Sequence, residues 1–390
     1  MRQGERPDGG PLSAARRTVG ARYVVLSVVL GSIVAVLAGA VVFRASSRDS
    51  LPPARSAGPA GPPPLAKVAP CNAATFGVDR WPSACWRPYA PTSPFNRRLV
   101  EPALAPDSTA FVARLMAWGG PQNLVIGNAG QPDDWGHPVY WSSPSDPVVT
   151  VDCHGPWGAC PIHRERVRIP AQARAAGGSD RHLTVVDQRS GLEWDFYGVR
   201  QRTRTAIRAD FGGRIRIDGS GLNSHATAGR IGSLAGIIRA PELEAGRIDH
   251  ALFMSIPCDA GRHVFPASKG GLPCETAAPS GSDIPLGTRF QLAMAPAEID
   301  ALPVAAWMKT ILKAMSEYGM IVGDTGGQSW SVQLESGATY TSFRRQDRLV
   351  TFAATTGIPG FEGRYVLSFT GVDWANRLRV VAPCESKQSC

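Results

Sequence analysis

The sequence lacks the residue spacings of the common metal, redox and nucleic-acid-binding sites. Its eight cysteines include no Cys-x-x-Cys pair, no two histidines stand four residues apart, and no acidic run has the spacing of a calcium loop. Lysine is scarce, and no basic stripe with interleaved aromatic residues occurs among the many arginines. We therefore expect no metal, no other cofactor and no nucleic-acid partner.

One long apolar run predicts where the chain resides. Residues 23–43 form 21 consecutive uncharged positions, enough for a helix to cross roughly 30 Å of hydrocarbon. Five arginines precede the run and two follow closely, which favours a cytoplasmic tail of residues 1–22 and an extracytoplasmic remainder. The alternative is a signal peptide cleaved near Ala38-Gly39-Ala40, although such apolar regions usually span only about 7 to 15 residues. The protein would then be secreted.

A Pro-, Ala- and Gly-rich stretch follows the apolar run. Seven prolines lie between Arg48 and Pro70, and apolar residues are too few to offset the entropy of ordering. We assign residues 44–70 to a linker and residues 71–390 to one folded domain.

The cysteines lie in the part of the chain predicted to face an oxidising space, and they occur as near neighbours. This favours disulfides over zinc. The sequence leaves the connectivity open, but sequential pairing closes short loops at the least entropy cost. The simplest set is Cys71 with Cys85, Cys153 with Cys160, Cys258 with Cys274, and Cys384 with Cys390.

Short β-type runs separated by turn residues predict a mainly β domain, either a jelly roll or a concanavalin-like β-sandwich. One long amphipathic helix is also predicted, because apolar residues recur at helical spacing from Val304 to Met315 while Lys309 and Lys313 face away. Gly319 ends this helix. The predicted strands are residues 147–152, 166–170, 181–187, 192–199, 214–218, 251–256, 288–293, 320–323, 330–334 and 348–353.

The predicted hairpin of residues 181–199 is the most informative segment for chemistry. Strand alternation sorts its second run into two faces. One face carries Leu192, Trp194 and Phe196 toward the core, and the other presents Glu193, Asp195 and Tyr197. Neighbouring carboxylates raise one another's pKa, which is how a glycosidase obtains a general acid beside an ionised partner. The alternative is an ordinary solvated face of an antiparallel sheet.

Three further segments contain candidate residues. His225 lies in the glycine-rich stretch of residues 218–236, which is either a binding loop or a tight connection. His250 begins an apolar run and is expected to be structural. Asp324 belongs to a Gly-Asp-Thr-Gly-Gly turn at a sheet edge. That turn superficially resembles the nucleophile segment of trypsin-like proteases, but no matching histidine segment precedes it.

Several short blocks occur in one order along residues 93–335: Ser93-Pro94-Phe95-Asn96, Gly178-Ser179-Asp180-x-His182, Glu193-x-Asp195-Phe196, His225-Ala226-Thr227-Ala228-Gly229, Gly246-x-Ile248-x-His250-Ala251-Leu252 and Tyr318-Gly319-Met320-x-Val322-x-Asp324. With these blocks the chain resembles a largely uncharacterised group of secreted or membrane-anchored bacterial proteins. The resemblance implies a β-sandwich related to glycan-acting or glycan-binding jelly rolls, and it implies no established activity.

The Glu193-x-Asp195 pattern is also similar to the acidic strand of laminarinase-type glycoside hydrolases, which build their cleft on a jelly-roll sheet. The second catalytic carboxylate of that strand has no counterpart after Tyr197. A proton donor would then come from elsewhere, with His182, Asp180 or Asp324 as candidates.

These observations predict a membrane-tethered protein that acts on an envelope or extracellular polysaccharide. Glu193 and Asp195 are the predicted catalytic acids and His182 assists proton transfer. Tyr197, Asp180, His225 and Asp324 are predicted to bind the sugar. The alternatives are a glycan- or wall-binding module without chemistry, and a polysaccharide lyase that uses a histidine or tyrosine base.

Overall fold

The computed structural model describes residues 76–275 and 282–383. The predicted cytoplasmic tail, membrane span and linker lie outside these ranges. Within them, every helix is too short or too polar to cross a bilayer.

The described residues form a mainly β fold with short helices, as the sequence predicts. The helices are α1 (Ser108–Ala117), α2 (Ala240–Ala245), α3 (Pro296–Ala301), α4 (Ala306–Glu317), α5 (Ala338–Thr341), α6 (Arg348–Thr355) and α7 (Trp374–Arg377). The strands are β1 (Leu124–Ile126), β2 (Val139–Ser142), β3 (Val148–Cys153), β4 (Arg166–Arg168), β5 (Leu183–Asp187), β6 (Leu192–Tyr197), β7 (Gln201–Arg202), β8 (Ala206–Ala209), β9 (Phe211–Arg216), β10 (Leu252–Ile256), β11 (Arg289–Leu292), β12 (Met320–Thr325), β13 (Ser331–Val332), β14 (Gly360–Phe361), β15 (Arg364–Leu367) and β16 (Leu378–Val381).

The strands pair into four sheets, and three of them form successive layers. The orders are β4-β3-β8-β7, β2-β5-β6-β9, β13-β10-β12-β11-β16 and β1-β15-β14. The two four-stranded sheets enclose one hydrophobic cluster, which includes Val151, Trp194 and Phe196. A second cluster joins the β2-β5-β6-β9 sheet to the five-stranded sheet, and it includes Trp141, Phe253 and Ile321. The β-sandwich is therefore covered on one side by a third layer.

Several strand pairs are parallel, unlike the antiparallel strands of a jelly roll. They are β2 with β5, β3 with β8, and β10 with β12. Alternation of apolar and polar residues specifies which face a side chain occupies, but it carries no information on the direction of the neighbouring strand. The β-sandwich is present, and these parallel pairs depart from the predicted jelly-roll pattern.

The predicted amphipathic helix is confirmed as α4. Its buried residues follow the predicted spacing and include Trp307, Met308, Ile311 and Met315. The helix starts at Ala306, two residues after the predicted first apolar position, and Gly319 follows its end with a φ of 77°. Most of these side chains belong to the largest hydrophobic cluster, beside the five-stranded sheet.

One predicted strand is wrong. Residues 348–353 lie in helix α6, whose N-cap Asp347 accepts hydrogen bonds from the backbone N–H groups of Leu349 and Val350. This cap satisfies donors that would otherwise lack a partner at the start of the helix. Leu349, Phe352 and Ala353 are buried, and their spacing of three and four residues matches a helical face rather than a strand.

Two predicted disulfides are confirmed. Cys153 bonds to Cys160, and Cys258 bonds to Cys274. The other two predicted pairs each include a cysteine outside the described residues.

The buried carboxyl of Glu335 makes stability depend on pH. Burial raises the pKa of Glu335 to about 7, although Oε2 accepts hydrogen bonds from the backbone N–H of Ala240 (3.0 Å) and the hydroxyl of Tyr340 (2.9 Å). The folded state therefore holds a proton that the unfolded chain releases above its ordinary pKa near 4.5. The free energy of unfolding therefore falls as pH rises from 4.5 to 7, because the unfolded chain loses the Glu335 proton while the folded protein keeps it. Above pH 7 this destabilisation no longer increases.

We expect Glu335→Gln to stabilise the protein at pH 8, by on the order of 2 kcal/mol. The backbone N–H of Ala240 and the hydroxyl of Tyr340 both donate to Oε2 of Glu335, so the uncharged carbonyl oxygen of glutamine can accept both hydrogen bonds. The gain over wild type should shrink as pH falls to 4.5, which chemical denaturation at several pH values measures.

Glu242→Gln is the matched control with the opposite sign. Burial opposes ionisation of Glu242, but Arg239 and His250 lower its pKa overall, and Arg239 Nη2 lies 2.5 Å from Oε1. Removing this charge leaves a buried arginine without its partner, so the variant should be less stable at pH 8. Equal effects of the two substitutions would contradict the assigned ionisation states.

Candidate functional site

The acidic strand β6 has the predicted alternation, but its acidic face is buried. Trp194 and Phe196 pack into the cluster between the four-stranded sheets. Glu193 and Asp195 point to the other face, where both are 0% exposed. The prediction that these carboxylates line an open surface is wrong, because Tyr89 and the segment of residues 222–237 cover them.

Asp195 is surrounded by hydrogen-bond donors. Its Oδ1 accepts from the hydroxyl of Thr184 at 2.7 Å. Its Oδ2 accepts from the hydroxyl of Ser224 at 2.7 Å and from the backbone N–H of Ser233 at 3.2 Å. Three donors on one buried carboxyl are the arrangement that stabilises an ionised carboxylate.

Glu193 favours its protonated form. Burial, followed by the nearby charge of Asp195, raises its pKa well above the ordinary value. The hydroxyl of Tyr89 donates to Oε2 at 2.7 Å, and the backbone N–H of Leu234 donates to Oε1 at 3.0 Å. The pair therefore combines a carboxyl that favours its protonated form with one that accepts three hydrogen bonds.

The glycine-rich segment closes over this pair. A Cβ added at Gly232 would lie 2.4 Å from the Tyr89 hydroxyl and 3.1 Å from Glu193 Oε1. At Gly221, an added Cβ would lie 2.7 Å from the Tyr89 ring. Glycine is needed here so that the backbone can approach closely, which supports the tight-connection interpretation of residues 218–236.

An open cleft of about 840 Å³ lies beside the buried carboxylates. Its lining includes three residues selected from the sequence, Asp180, His182 and Asp324. His137, Ser233 and an exposed tryptophan, Trp135, line it as well.

Two stacked histidines connect the cleft to Asp195. Thr184 donates its only proton to Asp195, so its oxygen accepts from His137 Nε2 at 2.8 Å. The rings of His137 and His182 lie 4.8 Å apart. Burial lowers the pKa of His137, and the neighbouring His182 lowers it further. Burial also lowers the pKa of His182, although the charges of Asp180 and Asp195 partly oppose that shift. Both rings are therefore neutral at pH 7.

Asp324 is a carboxyl that can carry a proton at neutral pH. Burial, with a further contribution from the charge of Asp180, raises its pKa to about 7. Oδ1 accepts from the backbone N–H groups of Thr325 (2.8 Å) and Ala228 (3.3 Å), so the proton belongs on Oδ2. A carboxyl that titrates near the working pH is suited to general acid catalysis.

Asp180 and Tyr197 lie together near the histidines. Asp180 Oδ2 is 3.8 Å from His182 Nε2, and Oδ1 is 3.5 Å from the Tyr197 hydroxyl. Burial and the charges of Asp180 and Asp324 raise the pKa of Tyr197 to about 12. Tyr197 is thus a neutral hydrogen-bond donor at pH 7.

The remaining histidine candidates lie apart from this group. His225 is half-buried and does not belong to the described lining of the cleft. His250 is buried, with Nδ1 2.9 Å from the carbonyl of Ala251 and Nε2 3.1 Å from Glu242 Oε1. The expectation that His250 is structural is confirmed.

Sequence reasoning missed Tyr89, His137 and Thr184. Tyr89 and His137 reach the site through contacts that are distant along the chain, with 104 residues between Tyr89 and Glu193 and 47 between His137 and Thr184. Thr184 carried the only local signal, because it lies on the same face of the predicted hairpin as Asp195.

Comparison of the chain with protein-family models, curated proteins and solved structures finds no match.

Proposed function

We propose that this chain is a membrane-tethered, extracytoplasmic glycoside hydrolase that acts on a cell-envelope or extracellular polysaccharide. The observation that carries the proposal is Asp324, a carboxyl with a pKa near 7 in an open cleft that also contains the carboxylate of Asp180. The charge-free run of residues 23–43 and the two disulfides support the location.

The two cleft aspartates provide the groups that glycoside hydrolysis requires. Asp324 would donate its Oδ2 proton to the leaving glycosidic oxygen. Asp180, which raises the pKa of Asp324 by its negative charge, would act on the opposite side of the sugar as base or nucleophile. Tyr197 and His182 contact Asp180 and would orient it.

Glu193 and Asp195 then act from beneath the cleft instead of touching the sugar. Asp195 holds Thr184, which in turn orients His137, and it also binds the N–H of the cleft residue Ser233. In this proposal the residues of the acidic strand position the cleft side chains and take no direct part in the reaction.

The charges of the cleft favour hydrolysis over the lyase alternative. The acidic side chains in its described lining are Asp133, Asp180 and Asp324, and no lysine or arginine belongs to that lining. A lyase must neutralise a uronate carboxylate, and a lining without a cationic side chain supplies no counter-charge for it. Neutral sugars and amino sugars are the substrates that suit such a surface.

A binding module without chemistry is the second candidate, and exposed Trp135 favours it. This side chain is 57% exposed at the cleft, and aromatic rings are effective contact surfaces for the apolar faces of ligands.

Trp135→Ala should weaken glycan binding about tenfold under either function. Isothermal titration of the full-length chain with an oligosaccharide selected from a glycan array measures the change. Phe361→Ala is the control, because Phe361 is 77% exposed and outside the described lining of the cleft. Equal losses in both variants would show that the effect is not local to the cleft.

Product analysis separates the two functions. Incubation of the full-length protein with a panel of neutral, amino-sugar and uronate-containing polysaccharides, followed by mass spectrometry, should reveal shortened products with one added water per cleaved bond. Binding on the array without any product would favour the binding module. Unsaturated products without added water would indicate a lyase.

A further inference from the structure

A second cluster of reactive side chains lies at the end of strand β3, in the outer sheet. It consists of Asp152, His154 and His163, and one ligand atom of each lies within 4.8 Å of the others. His154 Nε2 is 2.9 Å and His163 Nδ1 is 4.0 Å from the same oxygen, Asp152 Oδ1. The two imidazole rings are 4.4 Å apart.

The covalent framework holds this cluster in place. Asp152 belongs to β3, His154 directly follows Cys153 inside the loop that the Cys153–Cys160 disulfide closes, and His163 lies three residues after that loop. The disulfide therefore brings together two histidines that are nine positions apart, a spacing that no common metal motif has. Sequence patterns alone did not reveal the cluster for this reason.

A neighbouring arginine orients the carboxylate. Asp152 pairs with Arg208 across the parallel strands β3 and β8, and Arg208 Nε lies 3.2 Å from Oδ2. Oδ1 is thereby left on the side of the two imidazoles. Carboxylate ligands of metals commonly have such a hydrogen-bonded outer oxygen, which fixes the direction of the ligating one.

We propose that Asp152, His154 and His163 bind one divalent transition-metal ion of the zinc class. Two imidazole nitrogens and one carboxylate oxygen suit zinc, copper, nickel or cobalt, whereas calcium and magnesium prefer oxygen ligands. The positive charge of Arg208 further disfavours hard cations, which are held mainly by charge. His163 Nδ1 now lies 3.2 Å from the backbone N–H of Cys153, and it would give up this contact to bind the metal. The exposed side chain of Arg164, which lies 3.3 Å from His163 Nε2, would move aside.

The metal would stabilise a loop that contacts the candidate active site. Trp157 lies within the same disulfide loop, and its ring packs against Tyr197 (5.4 Å) and Phe211 (6.0 Å). A metal at the base of the loop fixes both of its ends. This site is independent of the proposed hydrolase activity, and its test needs no glycan.

The test is titration of the chelator-treated full-length chain with Zn²⁺, and with Co²⁺ for its visible absorption. We expect one ion per chain, a higher thermal midpoint with Zn²⁺, and a Kd weakened about 100-fold by either His154→Ala or His163→Ala. Asp152→Asn should weaken binding as well. His263→Ala removes an exposed histidine outside the cluster and should leave the Kd unchanged.

Two outcomes would overturn the proposal. The first is no saturable binding of either ion in the micromolar range by folded wild-type protein. The second is binding that survives both histidine substitutions at full strength, which would place the ion elsewhere. Circular dichroism and the metal-free thermal midpoint check that each variant is folded.

Discussion

Asp324→Asn is expected to lower kcat on a cleavable glycan by about 10² to 10⁴-fold and to change KM little. Asparagine has the same shape, and its carbonyl oxygen can accept the hydrogen bonds that Oδ1 receives from Ala228 and Thr325. Its amide cannot transfer a proton to a leaving oxygen. The fold and ground-state binding should therefore persist while the chemical step fails.

The pH profile supplies a second readout of the same residue. Asp324 is the proton donor only while protonated, and its pKa is raised to about 7. Wild-type kcat should therefore be retained just below pH 7 and should fall as pH rises through 7. The residual activity of Asp324→Asn should lack this alkaline limb.

Asp133→Asn is the matched control for this experiment. Asp133 lines the same cleft, but its carboxylate is paired with Arg364 at 2.9 Å and is about half exposed. We expect kcat within about twofold of wild type, because an exposed ion pair contributes little. An Asp324→Asn enzyme with full kcat and an unchanged alkaline limb would eliminate Asp324 as the general acid.

Asp195→Ala is expected to cost about 3 kcal/mol or more of unfolding free energy. The substitution leaves three buried donors without their acceptor, and each unsatisfied group costs about 1 to 3 kcal/mol. These donors are the hydroxyls of Thr184 and Ser224 and the N–H of Ser233. Chemical denaturation at pH 7 measures the loss.

Glu193→Gln is the contrasting substitution on the same strand. Burial and the charge of Asp195 raise the pKa of Glu193 well above its ordinary value, so the buried side chain favours its neutral form and glutamine replaces it with little change in shape. Its carbonyl oxygen can accept from one of the two donors, and the Tyr89 hydroxyl can accept from the new amide. We expect a stability change within about 1 kcal/mol and nearly unchanged activity. A large loss of kcat in a stable Glu193→Gln protein would return direct catalysis to the acidic strand.

Local periodicity in the sequence correctly predicted helices and strands whose buried face is evident from the spacing of their own apolar residues. Helix α4 has an apolar stripe with charged residues opposite, and the alternation of β6 correctly placed Trp194 and Phe196 in the core. Residues 348–353 were misassigned because Val350 and Thr351 favour strands, whereas the Asp347 cap and the contacts of Leu349 and Phe352 favour a helix.

The sequence also predicted part of the candidate site, namely the residues whose chemistry is evident from local sequence. Asp180, His182 and Asp324 were identifiable as chemically capable residues in turns and at strand ends. The burial of Glu193 and Asp195 depends on Tyr89 and on the segment of residues 222–237, which alternation within one hairpin cannot reveal. The hydrogen bonds of Tyr89 and His137 are long-range contacts, which only the folded chain brings together.

Hydrogen exchange with mass spectrometry tests the central claim, that the cleft of Asp180, His182 and Asp324 is a glycan site. Full-length protein would be compared with and without an oligosaccharide that binds on the array. The account predicts protection in peptides that cover residues 118–137 and 324–334, both of which line the cleft. Protection confined to other surfaces, or no binding by any neutral or amino-sugar glycan, would contradict it.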